Sequence, residues 1–465
     1  MEKNSSPQLH RAMQRRHLIM ISLGGAIGTG LFLGSGEVIS QTGAVGAILA
    51  YALGGLIAYS VMLCLGELSV HLPVAGSFGE YASRYINPST GYMVSWMYWL
   101  TWTITLGTEF TAAAMLMQEW FPHVSLWIWT LIFAATVFLL NVSSTRFFAE
   151  AEFWLALIKV ATVLLFIILG ATAIFGIIPM QGYDSAPLFH NLTKDGWFPQ
   201  GFWPIFTTML VVNFAFSGTE LIGVAAGETQ DPEKNIPRAI NAAIWRLLIF
   251  FVGTIVIVSA LLPYQATAVD NAHGLSHSPF VSVFSRIGIP YAEDFIRFVI
   301  ITALLSAANS GLFAASRMLW SLSSTRKLPS VFSQLTQSGT PMMAICVTMM
   351  GALPGLLSEF FAPEVIFENL LNIAAFTMVV VWISICISHF NFRRKWYASG
   401  KTKSELKFIA PLYPLTPILG GIFCSITCIS MAADPNMRYS FISCLAIIGF
   451  CYLSYFIFVK NRQVA

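Results

Sequence analysis

Charge is scarce in this sequence: 10% of its 465 residues are Asp, Glu, Lys or Arg, whereas about 25% is usual in a soluble protein. Hydrophobic residues make up 56%, so a water-soluble enzyme of this length is excluded. The seven cysteines (Cys64, Cys346, Cys386, Cys424, Cys428, Cys444 and Cys451) all fall in apolar stretches, at spacings that suggest neither a disulfide framework nor a metal site. No paired histidines, metal-spaced acids or nucleophile motif share a common depth, which disfavours a membrane-bound enzyme. No basic face or recognition motif points to nucleic acid. Nothing resembles a repeated selectivity filter or a ring of charges, which disfavours a channel. No ten-residue alternating pattern recurs, so the apolar stretches are expected to be helices rather than barrel strands.

Twelve stretches are long enough to cross a bilayer at about 20 to 25 residues each. They run 18–40, 44–69, 91–117, 124–144, 151–178, 203–227, 239–263, 291–322, 341–358, 364–391, 414–432 and 440–459. The basic N-terminus ahead of the first run superficially looks like a signal peptide. That run is long, contains Gly24, Gly25, Gly28 and Gly30 and lacks a cleavage site, so a retained first span is expected. Alternate connecting segments are unequally basic. One side carries only Lys194, Arg286 and Arg438; Lys159, Arg246, Arg297 and Arg317 lie within spans; the other eighteen of the 25 basic residues fall on the opposite side. By the positive-inside rule both termini are expected in the cytoplasm, with the protein in a bacterial inner membrane.

Two spans are interrupted by glycine and polar residues near their middles: the first at GGAIGTG (24–30) and the sixth at NFAFSGTELIG (213–223). Glycine costs about 1 kcal/mol relative to alanine inside a helix, so both segments are expected to be unwound. Interruptions at corresponding places in spans one and six divide ten helices into two sets of five. An odd-numbered repeat inserts with opposite orientation, which is the inverted-repeat arrangement with a site at the midplane. Close packing through small residues is the competing explanation. The expected division is a tail at 1–17, a first repeat at 18–178, an outside loop at 179–202, a second repeat at 203–391, a basic loop at 392–413, two further helices at 414–459 and a tail at 460–465.

An unwound segment leaves backbone groups in need of partners, and a zwitterionic amino acid supplies both kinds. Its carboxylate can accept from free N–H groups of Gly28, Thr29 and Gly30, at the positive end of a half-helix. Its ammonium group can donate to carbonyls where the first half-helices end, near Ala26, Ala215 and Phe216. Spans three, six and ten would then read the side chain.

Ionisable groups within spans are functional candidates by default. Lys159, in EFWLALIKVATVLLF, sits alone mid-span, where desolvation disfavours its charged form and makes proton release feasible. The alternative is a fixed cation satisfied by carbonyls. Glu220 follows the sixth-span break as a gate or as a support for unwound backbone. Glu109 lies roughly 8 Å outward from the centre of span three, at about 1.5 Å per residue, where it could pair with a cationic substrate or with Arg297. Glu67 and Glu228, at span ends with water available, are expected to be structural. Trp96, Trp99 and Trp102 form a stripe at helical spacing, of which Trp102 is deep enough to face a cavity. Asp231-Pro232 reads as a helix start.

Five segments together resemble the amino acid permeases of the amino acid–polyamine–organocation superfamily: GGAIGTGLFLGSG (24–36), CLGELSVHLPVAGSFGEYASRYINPSTGY (64–92), FSGTELIGVAAGETQDPEKNIPRAI (216–240), SAANSGLFAASRMLWSLSS (306–324) and FRRK (392–395). The resemblance implies an all-α integral membrane protein of 12 transmembrane helices, with a leucine-transporter-like 5+5 inverted repeat plus two helices. It also implies proton-coupled amino acid uptake with no cofactor besides the coupling proton. Lys159 matches the fifth-span lysine that stands where sodium-coupled relatives bind sodium. Gly28, Thr29 and Gly30 match the carboxylate-binding motif, and Phe216, Ser217, Gly218, Thr219 and Glu220 match the sixth-span motif. PVAGSF, Glu109 and AASRMLWSLSS are shared with arginine/ornithine permeases; NFAFSGTELIG and TRFFAE with S-methylmethionine permeases. Both substrates carry a positive side chain, so a cationic amino acid is expected. An S-methylmethionine or neutral amino acid permease, an exchanger and a non-transporting nutrient-sensing receptor are the alternatives. One chain holds the whole site, so a monomer suffices.

Overall fold

The computed structural model describes residues 13–267, 278–353, 356, 363–435 and 437–460, without the side chains of 363–368. Lys3, Arg11 and Arg462 lie outside the described residues, as does most of 354–358 at the end of the ninth expected span. The described residues form helices and connecting turns, with no strand beyond a single bridge between Met13 and Thr229.

The first expected span comprises α1 (Arg15–Ala26), α2 (Thr29–Phe32) and the start of α3 (Gly34–His71). Within α3 the chain kinks at Gly43, whose φ of 75° separates the first two spans close to the expected boundary. There follow α4 (Ser77–Tyr85), α5 (Pro88–Gln118), α6 (Leu126–Ser143) and α7 (Thr145–Ile174). The sixth span comprises a turn at Trp203–Thr207, α8 (Met209–Ala215), α9 (Leu221–Val224) and a closing turn at Ala225–Glu228. The rest is α10 (Pro232–Leu261), α11 (Pro279–Ile287), α12 (Ala292–Ser324), α13 (Met342–Thr348), α14 (Pro363–Ala398), α15 (Leu415–Ala433) and α16 (Arg438–Ser454).

Among the described residues eight helices are long and apolar enough to cross a membrane. Helix α5 is not one of the eight, although it has 31 residues. Its polar content explains this: Thr101, Thr105 and Thr111 turn their hydroxyls onto carbonyls four residues back, which lets them lie buried. The bundle has an apolar core in which a set of charged side chains is buried, and its outside is apolar as well. Leu139, Ile168, Ile429 and Phe450 are exposed on α6, α7, α15 and α16, while Glu67, Glu152, Lys159, Glu220, Glu228 and Arg317 are buried. Exposed aliphatic surface on long helices is what a lipid surround favours.

Several boundaries depart from the sequence expectation. Helix α7 begins six residues before 151, because Ser144 caps it by accepting from the Phe147 N–H at 3.2 Å. Helix α14 runs on to Ala398 and absorbs the FRRK stretch expected in a loop, since Arg393 is drawn into the interior by Glu67. Helices α4 and α11 were not expected: both are short and amphipathic, below the length that a span count detects. Helix α10 does start at Pro232, but Asp231 adopts a left-handed conformation and makes no side-chain cap.

One end of the bundle gathers the basic residues. Arg16 meets Glu150 at 2.5 Å, Lys395 donates to the Arg84 carbonyl at 2.9 Å, and Lys407 pairs with Glu233. Two buried clusters lie at this basic end. Arg317 donates to Glu228 at 2.9 Å beside Thr145, with its guanidinium 3.8 Å from the Phe313 ring centroid. Glu67 holds Arg393 through both carboxylate oxygens and also accepts from the Ala410 N–H at 2.7 Å. Glu67 and Glu228, expected at hydrated span ends, are instead buried and paired with arginines, because charges withdrawn from water need close partners.

Candidate functional site at two helix breaks

Helix α1 stops at Ala26, Ile27 and Gly28 are non-helical, and α2 resumes at Thr29. Helix α8 stops at Ala215, and helical hydrogen bonding resumes at Leu221. Both breaks fall where the glycine-rich segments predicted them. They also meet. A β-carbon on Gly30 would lie 2.6 Å from Ala215 Cα, and one on Gly218 would collide with the Gly25 backbone. Gly218 has a φ of 96°, so at this position the absence of a side chain serves both backbone shape and helix contact.

The first break is held by side chains from other helices. Glu109, on α5, accepts from the Thr29 hydroxyl at 2.8 Å and from the Thr29 N–H at 3.3 Å, which puts a carboxylate at the N-terminus of α2. Its other oxygen is buried without a partner among the described residues. Lys159, on α7, is buried and donates to the carbonyls of Gly24, of Ile27 at 3.1 Å and of Ala303 at 3.3 Å. The ammonium thus binds the last turn of α1 to α12 with all three of its donors used. Arg297 is not the partner of Glu109. It bonds Glu293 at 2.7 Å and Asp294 at 3.4 Å on its own helix, because spacings of four and three residues bring those acids to it.

The second break is largely satisfied by its own residues. Both oxygens of Glu220 accept from the Gly218 N–H, at 3.1 and 3.0 Å, and Tyr98 of α5 donates to Glu220 at 3.1 Å. The Phe216 carbonyl, expected to face an ammonium group, accepts from the Thr219 hydroxyl at 3.0 Å. The Phe216 ring packs against Phe251 and Tyr51 on α10 and α3. Ser217 is buried at the same turn.

Trp102 is buried against Gly311 of α12, where a β-carbon would strike its ring, and its indole N–H lies beside Tyr98 without a well-aligned acceptor among the described residues. Trp102 and Glu109 lie seven residues apart on α5, so two unpaired polar atoms share one helix face near the first break. The remaining tryptophans of the stripe pack: Trp96 and Trp99 are edge to face at 5.2 Å, and Trp99 donates to Thr348 at 3.0 Å.

One group escaped the sequence reading. Glu152 is buried on α7 and accepts from Ser306 at 2.5 Å and from Asn309 at 2.9 Å. Its spacing of seven residues from Lys159 was the available signal, since two helical turns return to the same face.

Half-helices that meet in mid-bundle, with charged side chains gathered around their open ends, define a membrane carrier rather than an enzyme. The fold is shared with a solved manganese transporter of Eremococcus coleocola in complex with an aromatic bis-isothiourea substituted compound: TM-score 0.53 at 14% identity, over 94% of this chain and 92% of that one. The family model "Amino acid permease" matches residues 17–464, and the chain belongs to that family of transporters. It is 48% identical to the amino-acid permease RocC of Bacillus subtilis (strain 168), over 99% of this chain and 97% of RocC. It is 41% identical to the lysine-specific permease LysP of Escherichia coli (strain K12), over 90% and 86%, and 37% identical to the histidine permease HisP of Lactococcus lactis subsp. cremoris (strain MG1363), over 93% and 90%.

Proposed function

We propose that the protein is a proton-coupled symporter that carries a cationic amino acid of the arginine, ornithine or lysine type into the cell by alternating access. In this reading the chain crosses the bacterial inner membrane twelve times, with both termini cytoplasmic and spans one to five related to spans six to ten as an inverted repeat. One chain is sufficient, and no cofactor is needed besides the proton.

The observation that carries the reading is the first break. An acidic side chain with one unpartnered oxygen lies at the start of α2, and the carbonyl end of α1 is gripped by a buried lysine. In the proposed cycle the free oxygen of Glu109 takes the cationic side chain of the substrate. The N–H groups at Gly28 and Gly30 take its carboxylate, and carbonyls near Ala26 and Ala215 take its ammonium group. Trp102 offers its indole N–H to the same space. Phe216, Ser217, Thr219 and Glu220 shape the facing break, and Glu220 keeps it wound in one conformation. Loss of the Lys159 proton removes its charge and one of the three donors that hold the carbonyls of Gly24, Ile27 and Ala303, which couples deprotonation to movement of α1. The lysine-specific relative favours a cationic substrate and the histidine permease leaves an aromatic imidazole substrate as the second reading.

The test is uptake of radiolabelled arginine into proteoliposomes under an inward proton gradient, competed by unlabelled ornithine, lysine, histidine, S-methylmethionine and neutral amino acids. Accumulation that collapses with a protonophore and is competed by the cationic set is expected. Transport of neutral amino acids alone would remove the cationic assignment and the proposed role of Glu109. Arginine exchange that ignores the gradient would replace symport by exchange.

A further inference from the structure

Glu152 has no part in the cycle above, yet a carboxylate buried in the middle of the bundle is costly to keep. It lies two turns before Lys159 on α7, with about 10 Å along the axis between their Cα atoms at 1.5 Å per residue, and no direct ion pair joins the two side chains among the described residues. What lies between them is the last turn of α1. The Gly24 carbonyl accepts from Lys159, and the Cα face of Gly24 is so close to Glu152 that a β-carbon there would collide with Oε1. One residue of the broken helix is therefore flanked by a cation and an anion from the same neighbouring helix.

The surroundings of Glu152 suit a charge rather than an accident of packing. Ser306 and Asn309 of α12 each donate to one oxygen, and Asn141 of α6 donates to Asn309 Oδ1 at 2.8 Å, fixing the amide so that its NH₂ faces the carboxylate. The charged groups that act on the pair are Lys159 and Glu152 themselves, with Glu109 acting on Lys159 from α5. Helices α10 and α11 meet α7 through apolar contacts, Ile257 on Gly170 and Phe280 on Phe166.

We propose that Glu152 is a positioning residue for proton coupling, the counter-charge that holds Lys159 in its ammonium form across Gly24 and so sets the pH range over which α1 stays locked. The proposal rests on the symport reading above. With Glu152 ionised the buried pair has no net charge while Lys159 is protonated, so the locked state avoids a lone charge in the bundle. Removing the carboxylate leaves that cation uncompensated, and it surrenders its proton at lower pH.

The experiment is the pH profile of gradient-driven uptake in proteoliposomes, each variant normalised to its own maximum. For Glu152→Gln, which keeps the shape and removes the charge, the alkaline limb is expected to move down by about one pH unit, the lower end of the effect of a nearby opposite charge. Glu152→Asp restores the charge and should return the limb most of the way. Ser306→Ala, which removes one donor and leaves the carboxylate, should shift it in the same direction by less, and serves if the Gln protein fails to fold. A wild-type limb in Glu152→Gln, or in Ser306→Ala where the Gln protein cannot be made, overturns the inference and leaves symport standing. Wild-type uptake that ignores the proton gradient overturns the symport reading and this inference with it.

Discussion

The two helix breaks solve one problem in different ways. At the second, the groups that satisfy the unwound backbone come mostly from within five residues: Glu220 takes the Gly218 N–H and Thr219 takes the Phe216 carbonyl. At the first, they come from α5 and α7, through Glu109 on Thr29 and Lys159 on Gly24 and Ile27. A break that carries its own partners keeps its shape wherever its helix goes. One held from outside changes shape when its holders change partner or charge. In the proposed cycle the first break is thus the responsive one, and the second is the surface against which it moves.

The largest expected effect comes from removing the outside hold. Lys159→Ala leaves three carbonyls without their donor, each costing about 1 to 3 kcal/mol if buried and unpaired. Accumulation against a gradient should fall at least about 100-fold in the proteoliposome assay; undiminished proton-driven accumulation would sink the role given to Lys159. Next is Gly218→Ala, which adds a methyl at a positive φ and drives it into Gly25. It should destabilise the detergent-solubilised protein by about 3 kcal/mol, as clash and backbone strain add. An unchanged melting temperature would mean that the breaks do not press together in solution.

Thr29→Val is subtler, because Glu109 keeps the Thr29 N–H and loses only the hydroxyl. The loss of one hydrogen bond to a charged acceptor, about 1 to 2 kcal/mol, should alter half-saturation for substrate roughly five- to thirtyfold. A wild-type value would detach Glu109 from substrate binding. The smallest effect concerns the far end of α1, where His17 contacts Glu150 at 3.1 Å. Burial holds the imidazole below its ordinary 6.5, against the pull of Glu150. The docked form therefore binds fewer protons than the undocked one, and its stability falls as the pH drops below about 6.5. Tryptic cleavage at Arg15 and Arg16 in detergent, measured relative to an unstructured peptide cut at the same pH, should speed up from pH 7 to 5.5, and His17→Asn should flatten that dependence.

The sequence located the breaks to within a residue or two, since glycine clusters act locally on helix propensity. It was less able to assign partners. Arg297 was a plausible mate for Glu109 by depth, but acids one turn away on its own helix claimed it. Glu67 and Glu228 looked hydrated from their positions at span ends, and the structure buries both against arginines from distant helices. Helices α4 and α11 were missed because neither is long enough to register as a span. Glu152 was not legible as a buried group because in sequence it opens the expected span at 151 with Glu150 beside it, where a carboxylate reads as hydrated.

By itself the sequence determined that this chain belongs in a membrane and where two of its helices cannot continue, because composition and backbone propensity are properties of short stretches. Only the tertiary structure decided which carboxylate meets Thr29, which carbonyls hold Lys159 and what stands across Gly24 from it. Those pairings join residues 80 to 157 positions apart, and buried polar groups take whatever partner the packing brings within about 3 Å.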